Sequence, residues 1–466
     1  MRNLWFISSV TCLLVASTLA CHPPTTCDPG DPGCEGPPTP PQRRLEDGQA
    51  ELRLAQIHAE YEAAAADGLD ADECRTLAAR YQALYERDNT ITAARFNVAA
   101  VHEVCGELER AASIYKSLGE YAPSLNNLGV MAWKAGDRER ALVFFEHSVA
   151  ADSTHAIEGR NNLAMALQER YASGHELADF ERAEVHLQNI LAVDTSNQMA
   201  YENLARLYYD RGRLDDRSYQ VLANLVVDQA LQVLEATGQR SADLHNLRGL
   251  LLMQDDDQVQ ALRAFKRAVE VEPQHVDANR NIAMIAIRFR DYASAEQALE
   301  SVIEVEPVTH DVDAWIALGV AKRGLRKYDE AEAAYRRALK VDGSDPRPWF
   351  NLGILVQEHV SANLEQGENE DANERALIAS YEVALEHFKT FIAKAGANKR
   401  WNAEVSEAKD RVVIVKDSIQ TIETMAQVRL QYEAMLEEEK RQREAQIEEW
   451  KRLEAQGVRV DELAEG

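Results

Sequence analysis

Few residues in this chain are placed to make or break bonds. Its 466 residues contain no HExxH pair, no phosphate-cradling P-loop, no strand-borne Gly-x-Gly-x-x-Gly and no nucleophile elbow. The 12 histidines are scattered, with no two at metal-binding spacing on one predicted helix face. Asp255-Asp256-Asp257 and the stretch Glu365–Glu374 carry carboxylates of the kind calcium uses. Neither has the alternating ligand order of an EF-hand loop, and both read as solvated turns. The cysteines offer more. Cys27 and Cys34 flank Asp28-Pro29-Gly30 and Asp31-Pro32-Gly33, two tandem turn signals that would bring the thiols together. Cys74 and Cys105 form a second candidate disulfide pair in an exported chain, the other reading being two small buried thiols. With no convergent titratable groups, the chain is expected to be no enzyme and to hold neither metal nor cofactor.

The composition narrows the partners. A formal net charge of −27 argues against binding a phosphate backbone, so no nucleic acid is expected. Residues 1–20 read as an export signal: Arg2, then an apolar run from Leu4 to Ala16 too short for a permanent membrane span, then Ala20. Cys21 directly after Leu19-Ala20 resembles a bacterial lipobox, whose cysteine becomes the acylated N-terminus, although Thr18 stands where that pattern prefers a branched apolar residue. Lipidation of Cys21 is one reading and ordinary cleavage leaving a free thiol is the other. Residues 21–44 hold eight of the 13 prolines and form an extended tether.

Beyond the tether the chain is written in repeats. Residues 45–91 suit an N-terminal helical hairpin. From Ala242 to Asp345 one pattern then recurs three times at nearly constant spacing: Gly249, Ala261 and Phe265; Ala283, Ala295 and Leu299; Gly319, Ala331 and Tyr335. A small residue, a second small residue twelve positions later and a large one four further on is the mark of a helix–turn–helix unit whose two helices approach closely. One such unit cannot bury its own apolar face, so copies must stack. Residues 92–394 resemble the tetratricopeptide repeat (TPR) superfamily, with about eight units. The fold expected is all-α: a right-handed superhelical TPR solenoid with an extended C-terminal helix. Residues 395–466 would supply that helix, first capping the array and then running on with charge nearly all round.

The resemblance also gives a candidate binding surface. Aligning the repeats places Asn97, Asn127, Asn162, Asn203, Asn281 and Asn351 just before the apolar–small pair, with Leu247 and Ala317 interrupting the series. In TPR proteins the first helix of each unit lines the concave groove, so these amides would form a ladder able to match the N–H and C=O of an extended peptide. Two readings stay open: a peptide-binding ladder, or an asparagine that the repeat consensus carries anyway. The neighbouring groove positions, among them Phe96, Trp133, Met165, Arg280, Met284 and Phe350, are mixed polar and apolar and suit protein, with no small-molecule substrate implied.

The layout of lipobox-like cysteine, Pro-rich tether, TPR array and charged helix resembles the TPR lipoproteins of bacterial envelope machines, most of all the GltE-type lipoprotein of the myxobacterial gliding-motility complex. That resemblance implies an outer-membrane lipid anchor facing the periplasm and a scaffold that binds envelope proteins through its groove. The competing assignments are a pilotin or assembly factor for type IV pili or a secretin, and an accessory that positions a cell-wall synthase.

Overall fold

A computed structural model describes residues 45, 48–66, 68–305, 308–361, 369–396 and 398–456. The export signal, Cys21, the tether with Cys27 and Cys34, the stretch 362–368 of the acidic insertion and residues 457–466 lie outside the described residues. Every regular element among the described residues is helical, as the repeat pattern predicts.

The chain divides into two units between Asp257 and Gln258. The first holds α1 (Gln49–Ala65), α2 (Ala71–Arg87), α3 (Thr92–Val104), α4 (Leu108–Ser117), α5 (Ala122–Lys134), α6 (Arg138–Ala151), α7 (Ile157–Gly174), α8 (Leu177–Val193), α9 (Gln198–Leu214), α10 (Ser218–Ala236) and α11 (Ala242–Gln254). The second holds α12 (Gln258–Val271), α13 (Val276–Arg288), α14 (Tyr292–Glu300), α15 (Val312–Gly324), α16 (Tyr328–Val341), α17 (Arg347–Leu355), α18 (Glu370–Ala395) and α19 (Asn402–Ala455). Within each unit consecutive helices pair as hairpins.

Close approach inside a hairpin rests on glycine facing an aromatic ring. A β-carbon on Gly129 of α5 would stand 2.5 Å from the Phe145 ring of α6, and one on Gly353 of α17 would stand 2.6 Å from Phe388 of α18. Gly319 and Tyr335 repeat the arrangement between α15 and α16. The large residue of the second helix therefore seats on the glycine of its own hairpin. Phe145, Phe388 and Tyr335 are all fully buried, which makes these rings the centre of each local core.

Two irregularities of the repeat become extra helix. α7 runs on through Ser173-Gly174 to 18 residues and α9 reaches 17, against 13 for α3, α5 and α15. The added turns carry Tyr171 and Arg211. The Arg211 guanidinium lies 5.8, 5.5 and 5.6 Å from the rings of Tyr171, Phe180 and Tyr219. A cation held among aromatic faces in a partly desolvated site gives the extra length a partner.

The N-terminal hairpin is stapled to the next one. Cys74 of α2 and Cys105, just past α3, form a disulfide with their α-carbons 6.2 Å apart. Asp70 caps α2 by accepting from the Glu73 amide at 2.8 Å, while the Glu73 carboxylate accepts from the Asp70 amide at 2.9 Å.

At the other end, α18 begins at Glu370, so part of the expected acidic loop is its first turns. There Asn369 caps the helix and Arg429 of α19 binds Glu370 at 2.9 Å and Glu374 at 2.9 and 3.0 Å, with Asp371 also in contact. The counter-charge for these carboxylates is a guanidinium. α19 is 54 residues long. Its early part packs Ala408 and Val415 into a cluster with Phe388 and Phe391, and everything from Gln431 to Arg452 is exposed. No helix among the described residues is long and apolar enough to cross a membrane.

Candidate functional site

The candidate surface is the row of positions on the first helix of each hairpin, and the two units treat it differently. In the first unit these positions are closed. Asn97, Asn127 and Asn162 are 1%, 0% and 1% exposed. The Asn127 amide donates to the Tyr115 hydroxyl at 2.8 Å, and that hydroxyl donates to Glu103 at 2.9 Å. Asn162 donates to Asn126 across α5 and α7 at 2.7 Å. Asn203, partly exposed, donates to Asn161 across α7 and α9 at 3.3 Å, and Gln168 donates to Asp210 at 2.7 Å.

These amides thus bond helix to helix. Successive first helices lie close enough for side chains one residue before the aligned asparagine (Asn126 and Asn161) to meet the asparagine of the next repeat. A buried amide needs partners inside the protein, and Asn127 and Asn162 find them. The ladder expected to be open at Asn97, Asn127 and Asn162 is interior at these positions, a correction: side chains of neighbouring helices cover them. Phe96, Trp133 and Met165, proposed beside it, are 2%, 6% and 5% exposed; Phe96 packs on Tyr115 and Tyr121, and Arg138 lies over Trp133. The doublets Asn126-Asn127 and Asn161-Asn162 were the sequence signal for inter-helix bonding.

In the second unit the same positions are open. Met284 of α13 is 61% exposed, and Asn281, Arg280, Ile316, Val320, Asn351 and Phe350 are all partly exposed. The Asn351 amide donates to the Arg347 carbonyl of its own helix at 3.0 Å. Arg280 reaches Asp311 at the start of α15, and Arg347 of α17 binds Asp345 and contacts Asp313 of α15. At the N-terminal ends of these helices the arginines are therefore neutralised. At the other ends, Arg288 and Arg323 meet no carboxylate at ion-pair distance among the described residues. The face combines an apolar middle with a cationic edge, within a chain that is strongly acidic as a whole.

A second cluster was not foreseen. Carboxylate oxygens of Glu296, Glu300 and Glu330 converge within 4.8 Å of one another. The buried Lys322 ammonium stands among them at 3.0, 2.9 and 2.5 Å, and Lys327 donates to Glu296 at 2.7 Å. Burial pulls Lys322 down, but hydrogen bonds to Glu330, Glu300 and Glu296 outweigh it and hold the ammonium above the usual lysine range. Burial pushes the Glu296 carboxyl up, and bonds from Lys327 and Lys322 more than reverse this. The cluster ties α14, α15 and α16 together by charge; its members stand on three helices, so no local spacing announces it.

Residues 122–151, 246–307 and 312–355 match the tetratricopeptide repeat family in three separate stretches. BBSome complex member BBS4 of Bos taurus is 25% identical over 199 residues, covering 42% of this chain and 34% of that protein. General transcriptional corepressor ssn6 of Schizosaccharomyces pombe is 30% identical over 108 residues, 23% of this chain and 10% of that one. The chain therefore spans about a third or less of these relatives. Among solved structures, a thermophilic TPR protein of Thermus thermophilus has a TM-score of 0.36 at 20% identity, covering 43% of this chain and 98% of that one.

Proposed function

We propose that this all-α tetratricopeptide solenoid is a non-catalytic scaffold of the bacterial cell envelope, exported, anchored to the outer membrane through Cys21 and facing the periplasm. Tetratricopeptide repeats bind protein partners, and stacked repeats present extended concave surfaces for this purpose. The observation that carries the reading is the contrast between the two units. The first spends its first-helix side chains on itself, whereas the second leaves Met284 exposed and Ile316 partly exposed beside Asn281 and Arg323, with Val320 and Phe350 packed beneath. An extended segment with apolar side chains and nearby carboxylates fits that face. Two features support export: the signal-like residues 1–20, and the Cys74–Cys105 disulfide, a bond that persists in oxidising compartments.

The machine served is, on the layout of the chain, a gliding-motility complex. The alternatives are a pilus or secretin assembly factor and an accessory of a cell-wall synthase. Deletion separates the three: loss of movement with pili intact, loss of secretin multimers, or altered peptidoglycan composition. The binding claim is tested by affinity purification from native envelopes with Met284→Asp/Ile316→Asp. An envelope protein retained by the wild type and lost from the variant is expected; equal retention would move binding off this face. Metabolic labelling with an alkyne fatty acid tests the anchor, with incorporation expected in the wild type and none in Cys21→Ala.

A further inference from the structure

The exposed part of α19 carries an apolar stripe that its own chain does not cover. Ala408 and Val415 mark the side packed against α18. Met425, Val428, Tyr432, Met435 and Leu436 lie roughly a third of a turn away around the helix and are 44–64% exposed. A second apolar group, Ile447, Trp450 and the partly exposed Leu453, follows on the same side. Between the two groups stand Glu439 and Arg443, joined within the helix at 2.9 Å. Along this side the order is apolar, acid, base, apolar.

That order is self-complementary in one direction only. Laid antiparallel on a second copy, with the two-fold axis at Arg441, Tyr432 of each chain faces Trp450 of the other. Met435 then faces Ile447, and Glu439 faces Arg443. The residues Tyr432, Leu436, Glu439, Arg443, Gln446 and Trp450 alternate four and three apart, the spacing that keeps one seam in contact along a helix pair. A parallel pairing would set Glu439 on Glu439 and Arg443 on Arg443. Arg429, three residues before Tyr432 on the same seam, is held by Glu370, Asp371 and Glu374 of α18, so the uncovered seam starts at Tyr432.

We propose that this stripe is a homodimerisation surface, on which α19 pairs antiparallel with α19 of a second copy of the chain over residues 432–450. The contact length is roughly 28 Å at 1.5 Å per residue. Charge complementarity at the two Glu439–Arg443 contacts fixes orientation and register, and the flanking aromatic and aliphatic pairs supply the burial.

Sedimentation equilibrium of the full chain tests this at concentrations up to roughly 100 µM, with circular dichroism verifying that each variant stays helical. The wild type is expected to dimerise. Glu439→Arg or Arg443→Glu alone places like charges together twice per dimer and should weaken association at least about tenfold. The double reversal restores unlike pairs and should return the dissociation constant to within about threefold of wild type, and an equimolar mixture of the two single variants should recover a dimer. Trp450→Asp should leave a monomer. A wild type that stays monomeric, or a dimer that the single reversals leave equally tight, would overturn the proposal.

Discussion

Two side chains show how narrowly local packing is set. Gly129 has no room for a β-carbon, because the buried Phe145 ring is already there. Gly129→Ala should cost about 1–3 kcal/mol, the usual range for overpacking, and read out as a lowered melting midpoint. Alanine's better helix propensity would offset less than about 1 kcal/mol of this. A stabilised variant would mean that α6 moves away freely. Lys322 is the electrostatic counterpart. Lys322→Met leaves three carboxylates facing one another and should cost about 3 kcal/mol near neutral pH, the lower end for breaking a buried pair, since Glu300 and Glu330 are half exposed.

The sign of the pH dependence follows from the directions of the shifts. Glu296 is held low, so its contribution is present above its unfolded value of about 4.3 and fades as pH falls through the folded value. Lys322 is held high, so its contribution is present below about 10.4 and fades as pH rises through the folded value. In Lys322→Met, acid should relieve the repulsion among the glutamates. The stability gap to wild type, measured by urea unfolding, should therefore narrow between neutral pH and about pH 4. A constant gap would show that lost packing, and not charge, is what the lysine supplies.

Among the elements, the N-terminal hairpin depends most on one covalent bond. Cys74 and Cys105 are 31 residues apart in sequence. Closing a loop of that size restricts the unfolded chain by roughly 3–4 kcal/mol. Reduction, or Cys74→Ser with Cys105→Ser, should lower the stability of the first unit by about that much, and hydrogen exchange should show α1 and α2 losing protection first. Equal protection with and without the bond would assign their stability to the core around Tyr81 and Leu84. The element scale is also where sequence and structure part. Residues around Ser173 and before Ser218 fall outside the repeat's constant spacing, and they prolong α7 and α9 beyond the 13 residues of α3, α5 and α15. Tyr171 and Arg211 find partners on neighbouring helices, and those partners are remote in sequence.

For the molecule as a whole, the repeat architecture was legible because each hairpin needs a small residue opposite a large one at fixed spacing. Gly129, Gly319 and Gly353 with Phe145, Tyr335 and Phe388 wrote that rule directly into the chain. The binding face was half legible. Every aligned asparagine lies on a first helix, but whether such a position is open depends on which side chains of neighbouring helices cover it, and no single repeat encodes those. Asn126 and Asn161 close the ladder in the first unit; Leu247 and Ala317, which interrupt it, mark where the amide series gives way.

The central claim is that the second unit's concave face binds a protein segment in the cell. A photoreactive residue at Met284, with the same probe at the exposed Lys340 of α16 as control, tests it directly in native cells. One envelope protein should crosslink at Met284 and not at Lys340. Equal capture at both positions, or capture at Lys340 alone, would contradict it.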